Sequence, residues 1–372
     1  MSLPIKAAVA RQQDGTLTIE DLVLEAPRDT EILVRVVASG ICHTDLVVMA
    51  GHLPTPLPVV LGHEGSGIVE AVGSRVTKVR PGDSVVMTYN TCGTCPSCRD
   101  GAMSYCHEFF PRNFFATRAD GSVALATGAS PGEKVHSNFF GQSSWATHAL
   151  AHERNVVKVE ARGDDLALMG PLACGIQTGA GTVMNALAVT AGSSFVCFGA
   201  GSVGLSAIMA AVVQGATRII AVDMHDNRLA IARELGATHT INAASDDVVA
   251  QVKAVTGGGA TYALDTTGLT PVIRQAVEAL APRGTAAVLG APAPGAEIVI
   301  DNTDFMSSGK RLMGVVEGES DGDTFIPKLV DLWRSGWFPF DKLVTFYPFA
   351  DINIAIRDSH AGTAIKPILR MG

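Results

Sequence analysis

The chain has 372 residues, 47% hydrophobic and 17% charged, which excludes a disordered protein and exceeds what one ordinary core organises, so two domains are expected. A formal net charge of -8 argues against nucleic acid or an anionic membrane as a partner, because both select a basic face. The opening Met1-Ser2-Leu3-Pro4-Ile5-Lys6 lacks the basic-then-apolar run of a secretory signal, so the cytoplasm is the expected compartment and the seven cysteines are expected as metal ligands rather than disulfides.

Roughly the first 160 residues read as β-rich. Ile32 to Ala38 and Gly67 to Val72 are short β-branched runs, and Pro81-Gly82-Asp83 marks a turn into a strand at Ser84 to Met87. Next comes Cys92-Gly93-Thr94-Cys95-Pro96-Ser97-Cys98, followed by Cys106. Four thiols at this spacing suit a closed tetrahedral zinc site, with Gly93 and Pro96 folding the backbone tightly enough for them to converge. The expected role is a structural staple for a loop of about residues 90–110 that has little core of its own.

Between Asp165 and Arg218 there is no Asp, Glu, Lys, Arg or His. Frequent glycines, from Gly170 to Gly204, interrupt this stretch, so it never offers the roughly 20 unbroken apolar residues of a membrane span. It is expected as a buried centre. From Ser194 onward, apolar strands alternate with helices. Strand starts are predicted near Ser194, Arg218, Thr238, Thr261, Gly284 and Arg311, and a helix over Asn227 to Leu235 is closed by Gly236. Six strands with helices between them predict an α/β, doubly wound parallel sheet of the Rossmann type. After about residue 316 the chain reads as irregular and aromatic.

The first of those strands runs into Gly199-Ala200-Gly201-Ser202-Val203-Gly204 and then an apolar helix to Val213, with Asp223 ending the next strand. This is the context in which a glycine loop binds a dinucleotide. Gly199 allows the tight turn, Gly201 lets the pyrophosphate approach the backbone, and Gly204 lets helix and strand pack closely. Val203 is on the helix N-terminus that meets the phosphate charge. Asp223 can accept both ribose hydroxyls and would repel a 2′-phosphate, so NAD is expected over NADP. Arg228 is placed to flank the adenosine ribose, or serves as a solvated helix charge.

Cys42 and Cys174 alone read as buried small hydrophobes, and His63 alone as a core histidine. Taken together, Gly62-His63-Glu64-Gly65-Ser66-Gly67, the four-cysteine segment, Cys174-Gly175-Ile176-Gln177-Thr178-Gly179 and the glycine loop resemble the zinc-dependent medium-chain alcohol dehydrogenases over essentially the whole chain. Phe109 to Phe114 and Val315-Val316-Glu317-Gly318 resemble the bacterial aryl-alcohol (benzyl alcohol) dehydrogenases within that family.

The resemblance implies a β-rich GroES-like catalytic domain of residues 1–175 and 316–372 and an NAD-binding domain of residues 176–315. It implies two zinc ions per chain, one structural and one catalytic. Cys42, His63 and Cys174 would hold the catalytic ion, with Glu64 as an alternate ligand. Asp45 would orient the His63 ring, Thr44 would pass the alcohol proton, and His43 and Lys366 would lie near the pyrophosphate. Thr178 would contact the cofactor. The expected reaction is reversible oxidation of an aromatic primary alcohol to its aldehyde, with other primary aliphatic or allylic alcohols and aldehydes as the alternative, in a homodimer or homotetramer. Tyr89, Phe115, Phe140 and Val316 are candidates for the substrate slot. Many relatives have a relay histidine where this chain has Val47, so the proton would leave through water or His43.

Overall fold

The computed structural model describes residues 2–128, 132–244, 247–290 and 295–372. The chain divides into two compact units, one of residues 1–174, 321–330 and 341–372, the other of residues 175–320 and 331–340.

In the first unit, two antiparallel-rich sheets surround one large apolar cluster that includes Trp145, Phe139, Leu61, Ile32 and Val34. The longest strand, Glu31–Gly40, is the organiser of its sheet. It pairs antiparallel with Gly65–Val72, with His148–His152 and with Lys366–Arg370. Its register sets Ser39 opposite Gly65 and Gly40 opposite Ile368. Three segments distant in sequence therefore reach one end of the sheet together, which is how Cys42, His63-Glu64 and Lys366 become neighbours. The alternation along Glu31–Gly40 is only partial, because most of its residues are buried, as suits a strand enclosed by others.

The second unit carries a six-stranded parallel sheet. Its order in space is His239–Asn242, Arg218–Asp223, Ser194–Phe198, Ala260–Asp265, Leu280–Val288 and Arg311–Gly314. Numbered along the chain this is 3-2-1-4-5-6, the doubly wound arrangement, with the order reversing between the first and fourth strands. Ser194–Phe198 is buried throughout and reads as one apolar run, because helices cover both faces of a parallel sheet. Arg311–Gly314 is the edge, paired on one side only among the described residues.

Ser194, Arg218 and Arg311 begin strands as predicted, and the helix near Asn227 spans Asp226–Glu234. Leu280–Val288 starts earlier than Gly284, because Leu280 pairs with Ala260 before a register shift. The tail after residue 316 is more regular than its sequence suggests. Gly322–Arg334 is a helix whose Phe325, Ile326, Leu329 and Val330 are buried on one stripe. Its acidic, glycine-containing start and internal Pro327 disguise that period. Among the described residues no single helix is long and apolar enough to cross a membrane.

Candidate active site

Cys42 ends the extended segment after Glu31–Gly40 and is the N-cap of the short helix His43–Met49. Asp45, on the first turn of that helix, is fully buried. One of its oxygens accepts from the Cys42 backbone N–H at 3.0 Å, and the other accepts from Gly62 N–H at 3.1 Å. That second oxygen also lies 3.0 Å from His63 Nδ1. A carboxylate there selects the tautomer with hydrogen on Nδ1 and leaves the lone pair on Nε2. His63 Nε2 is buried and has no hydrogen-bond partner. An orphaned buried acceptor is unusual in a folded protein.

Cys42, His63 and Cys174 form a group whose ligand atoms all lie within 4.8 Å of one another. Two thiols and an imidazole are a donor set suited to zinc with a position left for substrate, and the orphaned Nε2 fits that reading. The hydrogen bond from Cys174, opposed by desolvation and helped by His63 and Lys366, holds the Cys42 thiol well below its ordinary value. The Thr44 hydroxyl lies 3.8 Å from Cys42 Sγ, so it borders the group. Val47 follows three positions later, on the same side of the helix as Thr44. His43 is exposed.

Glu64 faces a second partner. Both its oxygens lie 2.9 Å from Lys366 Nζ, which also donates to the Ile41 carbonyl at 3.2 Å. Glu64 and Lys366 are both buried, at 0% and 1% exposure. Burial alone would pull the ammonium down, but the charges of Glu64 and Cys42 raise it above its ordinary value. The Lys366 ammonium is therefore paired with a carboxylate inside the protein. The fit is tight, because a Cβ on Gly40 would collide with Glu64 Oε2 and one on Gly170 with the Glu64 carbonyl.

The sequence gives no signal for Gln142, which is buried at 1% exposure. Its side-chain oxygen accepts from Gly65 N–H at 3.0 Å and its amide donates to the His63 and Met87 carbonyls at 3.0 and 2.7 Å. It ties the backbone around His63 to the neighbouring strand. Aromatic rings crowd the same imidazole. Phe140 stacks on His63 with centroids 4.4 Å apart, and Phe139 meets it edge-on at 5.5 Å. Phe114 packs on Phe140 at 5.1 Å, Phe109 on Phe140 at 6.5 Å, and Tyr89 on Phe109 at 5.7 Å. Phe115 is 42% exposed, and Val316 belongs to the other unit.

The four-cysteine segment forms a second group, again with all sulfurs within 4.8 Å. Backbone N–H groups of Thr94 and Cys95 point at Cys92 Sγ, those of Cys92 and Glu108 at Cys106 Sγ, and that of His107 at Cys95 Sγ. Desolvation pushes the Cys92 thiol up, but these donors outweigh it and bring it down to about 6. Burial leads in pushing Cys98 up to about 12. Four convergent sulfurs, with backbone donors around them, fit a closed zinc site.

In the second unit the glycine loop has the form a dinucleotide needs. Gly199 has φ +96°, and a Cβ on Gly204 would collide with the Gly199 carbonyl oxygen. A Cβ on Gly201 would meet nothing within 4 Å, so the backbone there is open to a phosphate. The helix Ser202–Val213 starts directly after it, and Val203 is in its first turn. Asp223 ends the second strand, with one oxygen accepting from Ala200 N–H at 2.7 Å and the other from His225 N–H at 2.9 Å. Arg228 Nη1 lies 3.8 Å from that carboxylate. The Thr178 hydroxyl donates to Glu317 at 3.2 Å.

Residues 28–161 match the family model described as alcohol dehydrogenase GroES-like domain, and residues 202–332 match zinc-binding dehydrogenase. A geraniol dehydrogenase of Castellaniella defragrans is 49% identical over 368 residues, covering 98% of this chain and 97% of its own. The crystal structure of an alcohol dehydrogenase zinc-binding domain protein from Burkholderia ambifaria superposes with TM-score 0.98 at 52% identity, covering 100% of both chains. That of benzyl alcohol dehydrogenase from Acinetobacter calcoaceticus gives TM-score 0.96 at 48% identity, again over 100% of both chains.

Metal analysis of the purified protein is expected to find about two zinc ions per chain. Cys98→Ser should retain about one and unfold at a lower temperature. Asp45→Asn should keep the four-cysteine ion but weaken retention of the other, or activity, by about 10- to 100-fold. Full retention of both ions and full activity in Asp45→Asn would count against the role given to that carboxylate.

Proposed function

This chain belongs to the zinc-binding alcohol dehydrogenases, and we propose that it oxidises primary alcohols whose carbinol carbon is attached to an aromatic ring or a carbon–carbon double bond, with benzylic alcohols preferred. The observation that carries this reading is the ring cluster on His63, led by the Phe140 stack at 4.4 Å. An apolar wall of that kind favours a flat, unsaturated substrate over ethanol. Allylic alcohols are the second reading, favoured by the 49% identity to a geraniol dehydrogenase.

Cys42, His63 and Cys174 would hold the catalytic zinc and the glycine loop would hold NAD. When bound, the zinc supplies Lewis acidity toward the alcohol oxygen and the NAD accepts hydride from the carbinol carbon. Asp45 keeps the His63 Nδ1 hydrogen in place, so Nε2 remains a donor of its lone pair. Thr44 Oγ1 takes the proton that the alcohol hydroxyl releases and passes it outward. Val47 cannot receive it, so the proton leaves through water or His43, which is exposed one position before Thr44. The phenylalanines keep water from the carbinol carbon. Asp223 accepts from the adenosine ribose hydroxyls, with Arg228 flanking them, and its charge disfavours a 2′-phosphate. The reaction is reversible, so the same groups serve aldehyde reduction. The chain functions in the cytoplasm, where thiols stay reduced.

Initial rates of cofactor reduction should favour benzyl alcohol over ethanol by about 2 kcal/mol, or roughly thirtyfold in kcat/KM. They should be confined to NAD rather than NADP. Equal efficiency with ethanol would remove the argument from the ring cluster. Val47→His should raise the rate at saturating alcohol and alter its pH profile; an unchanged rate and profile would show that proton exit does not limit turnover. We further propose a homodimer or homotetramer in which Arg311–Gly314, paired on one side only among the described residues, pairs with its copy. Light scattering that returns the mass of a single chain would refute it.

A further inference from the structure

The turn that follows the last strand of the parallel sheet has an unusual backbone. Glu317, Gly318 and Glu319 have φ values of 49°, 65° and 49°, three left-handed residues in succession, two of them with side chains that disfavour that region. The turn persists because it is docked onto the helix Gly175–Gly181. A Cβ on Gly318 would lie 2.6 Å from the Gln177 carbonyl, 2.8 Å from Gly181 Cα and 2.9 Å from the Thr178 carbonyl. The Gly318 carbonyl accepts from Asn185 Nδ2 at 3.2 Å.

This geometry turns the Glu317 side chain inward. It is 7% exposed, and its Oε2 accepts from Gln177 Nε2 and from the Thr178 hydroxyl, each at 3.2 Å. A hydroxyl that donates inward has only lone pairs to offer outward. The place of Thr178 gives this meaning. It follows the metal-ligand candidate Cys174 by four residues, and the next residue, Gly179, is packed so closely that a Cβ would collide with the Val203 carbonyl beside the glycine loop. On the reading of the chain as a dehydrogenase the glycine loop would hold the dinucleotide, and Thr178, beside Gly179 on the helix packed against the start of the helix that follows that loop, is a residue the cofactor would meet.

We propose that Glu317 is a positioning residue for the nicotinamide: its buried carboxylate fixes the Thr178 hydroxyl as an outward acceptor and adds negative charge that favours the cationic oxidised ring over the neutral reduced one. The proposal rests on the reading of the chain as an NAD-dependent dehydrogenase. Glutamine keeps an acceptor oxygen of the same shape and removes the charge, so Glu317→Gln separates the two effects.

The test is equilibrium binding of NAD and of NADH to the zinc-loaded protein without alcohol, by calorimetry and by NADH fluorescence. Glu317→Gln should weaken NAD by about tenfold and change NADH by no more than about twofold. Equal changes in both, or none, with the wild type binding both forms, would overturn the proposal and leave the dehydrogenase reading intact. A wild type that binds neither form would overturn both. If Glu317→Gln does not fold, Thr178→Val carries the test: it should weaken NAD and NADH together by about fivefold or more, and unchanged binding would overturn the proposal.

Discussion

One buried carboxylate holds the reactive end of the first unit together. Asp45 takes hydrogen bonds from the backbone of Cys42, from the backbone of Gly62 and from the His63 ring. Two peptide segments about 20 residues apart are thereby fixed to one side chain. A carboxylate with no exposure is costly unless its hydrogen-bonding capacity is used, and here three donors satisfy it. The same bonds decide which nitrogen of His63 is free. Structural order and ligand chemistry come from the same contact.

Around that contact the site is closed by groups that also have their partners. Lys366 neutralises Glu64, and Gln142 satisfies the His63 carbonyl and the Gly65 N–H. Gly40 and Gly170 allow Glu64 to lie against main chain where any side chain would intrude. Among these buried polar atoms the His63 Nε2 stands apart as unpartnered, and it faces two thiols. A network that satisfies its surroundings and leaves one lone pair toward two sulfurs is a metal site by its donor accounting.

Much of this was legible from the sequence, and for unequal reasons. The four-cysteine spacing and the strand–glycine loop–helix–Asp223 series are local, so chain order alone exposes their chemistry. Cys42, His63 and Cys174 are far apart, and only the pairing of Glu31–Gly40 with its neighbours explains their meeting. Family resemblance stood in for that pairing. The hydrogen bonds of Gln142 and the pairing of Lys366 with Glu64 were beyond reach, because no spacing rule tells which buried polar side chains will find each other. The helix Gly322–Arg334 was hidden by its own acidic start and Pro327, although its apolar stripe is plain once the burial is seen.

The two sulfur sites show how one ligand type serves opposite ends. In the four-cysteine segment the backbone folds back so that its own N–H groups point at the sulfurs, a self-contained arrangement that fits four thiolates and leaves no place for a substrate. In the other site the ligands come from separate elements, and the third is an imidazole held by a carboxylate rather than by the local turn. Three ligands fixed from outside can stay rigid while the fourth position changes occupant. The closed site gains its order from nearby backbone, whereas the open one depends on the sheet that brings distant segments together. Reactivity toward an alcohol is therefore a property of the tertiary fold, and it cannot be had from a compact loop of the same cysteines.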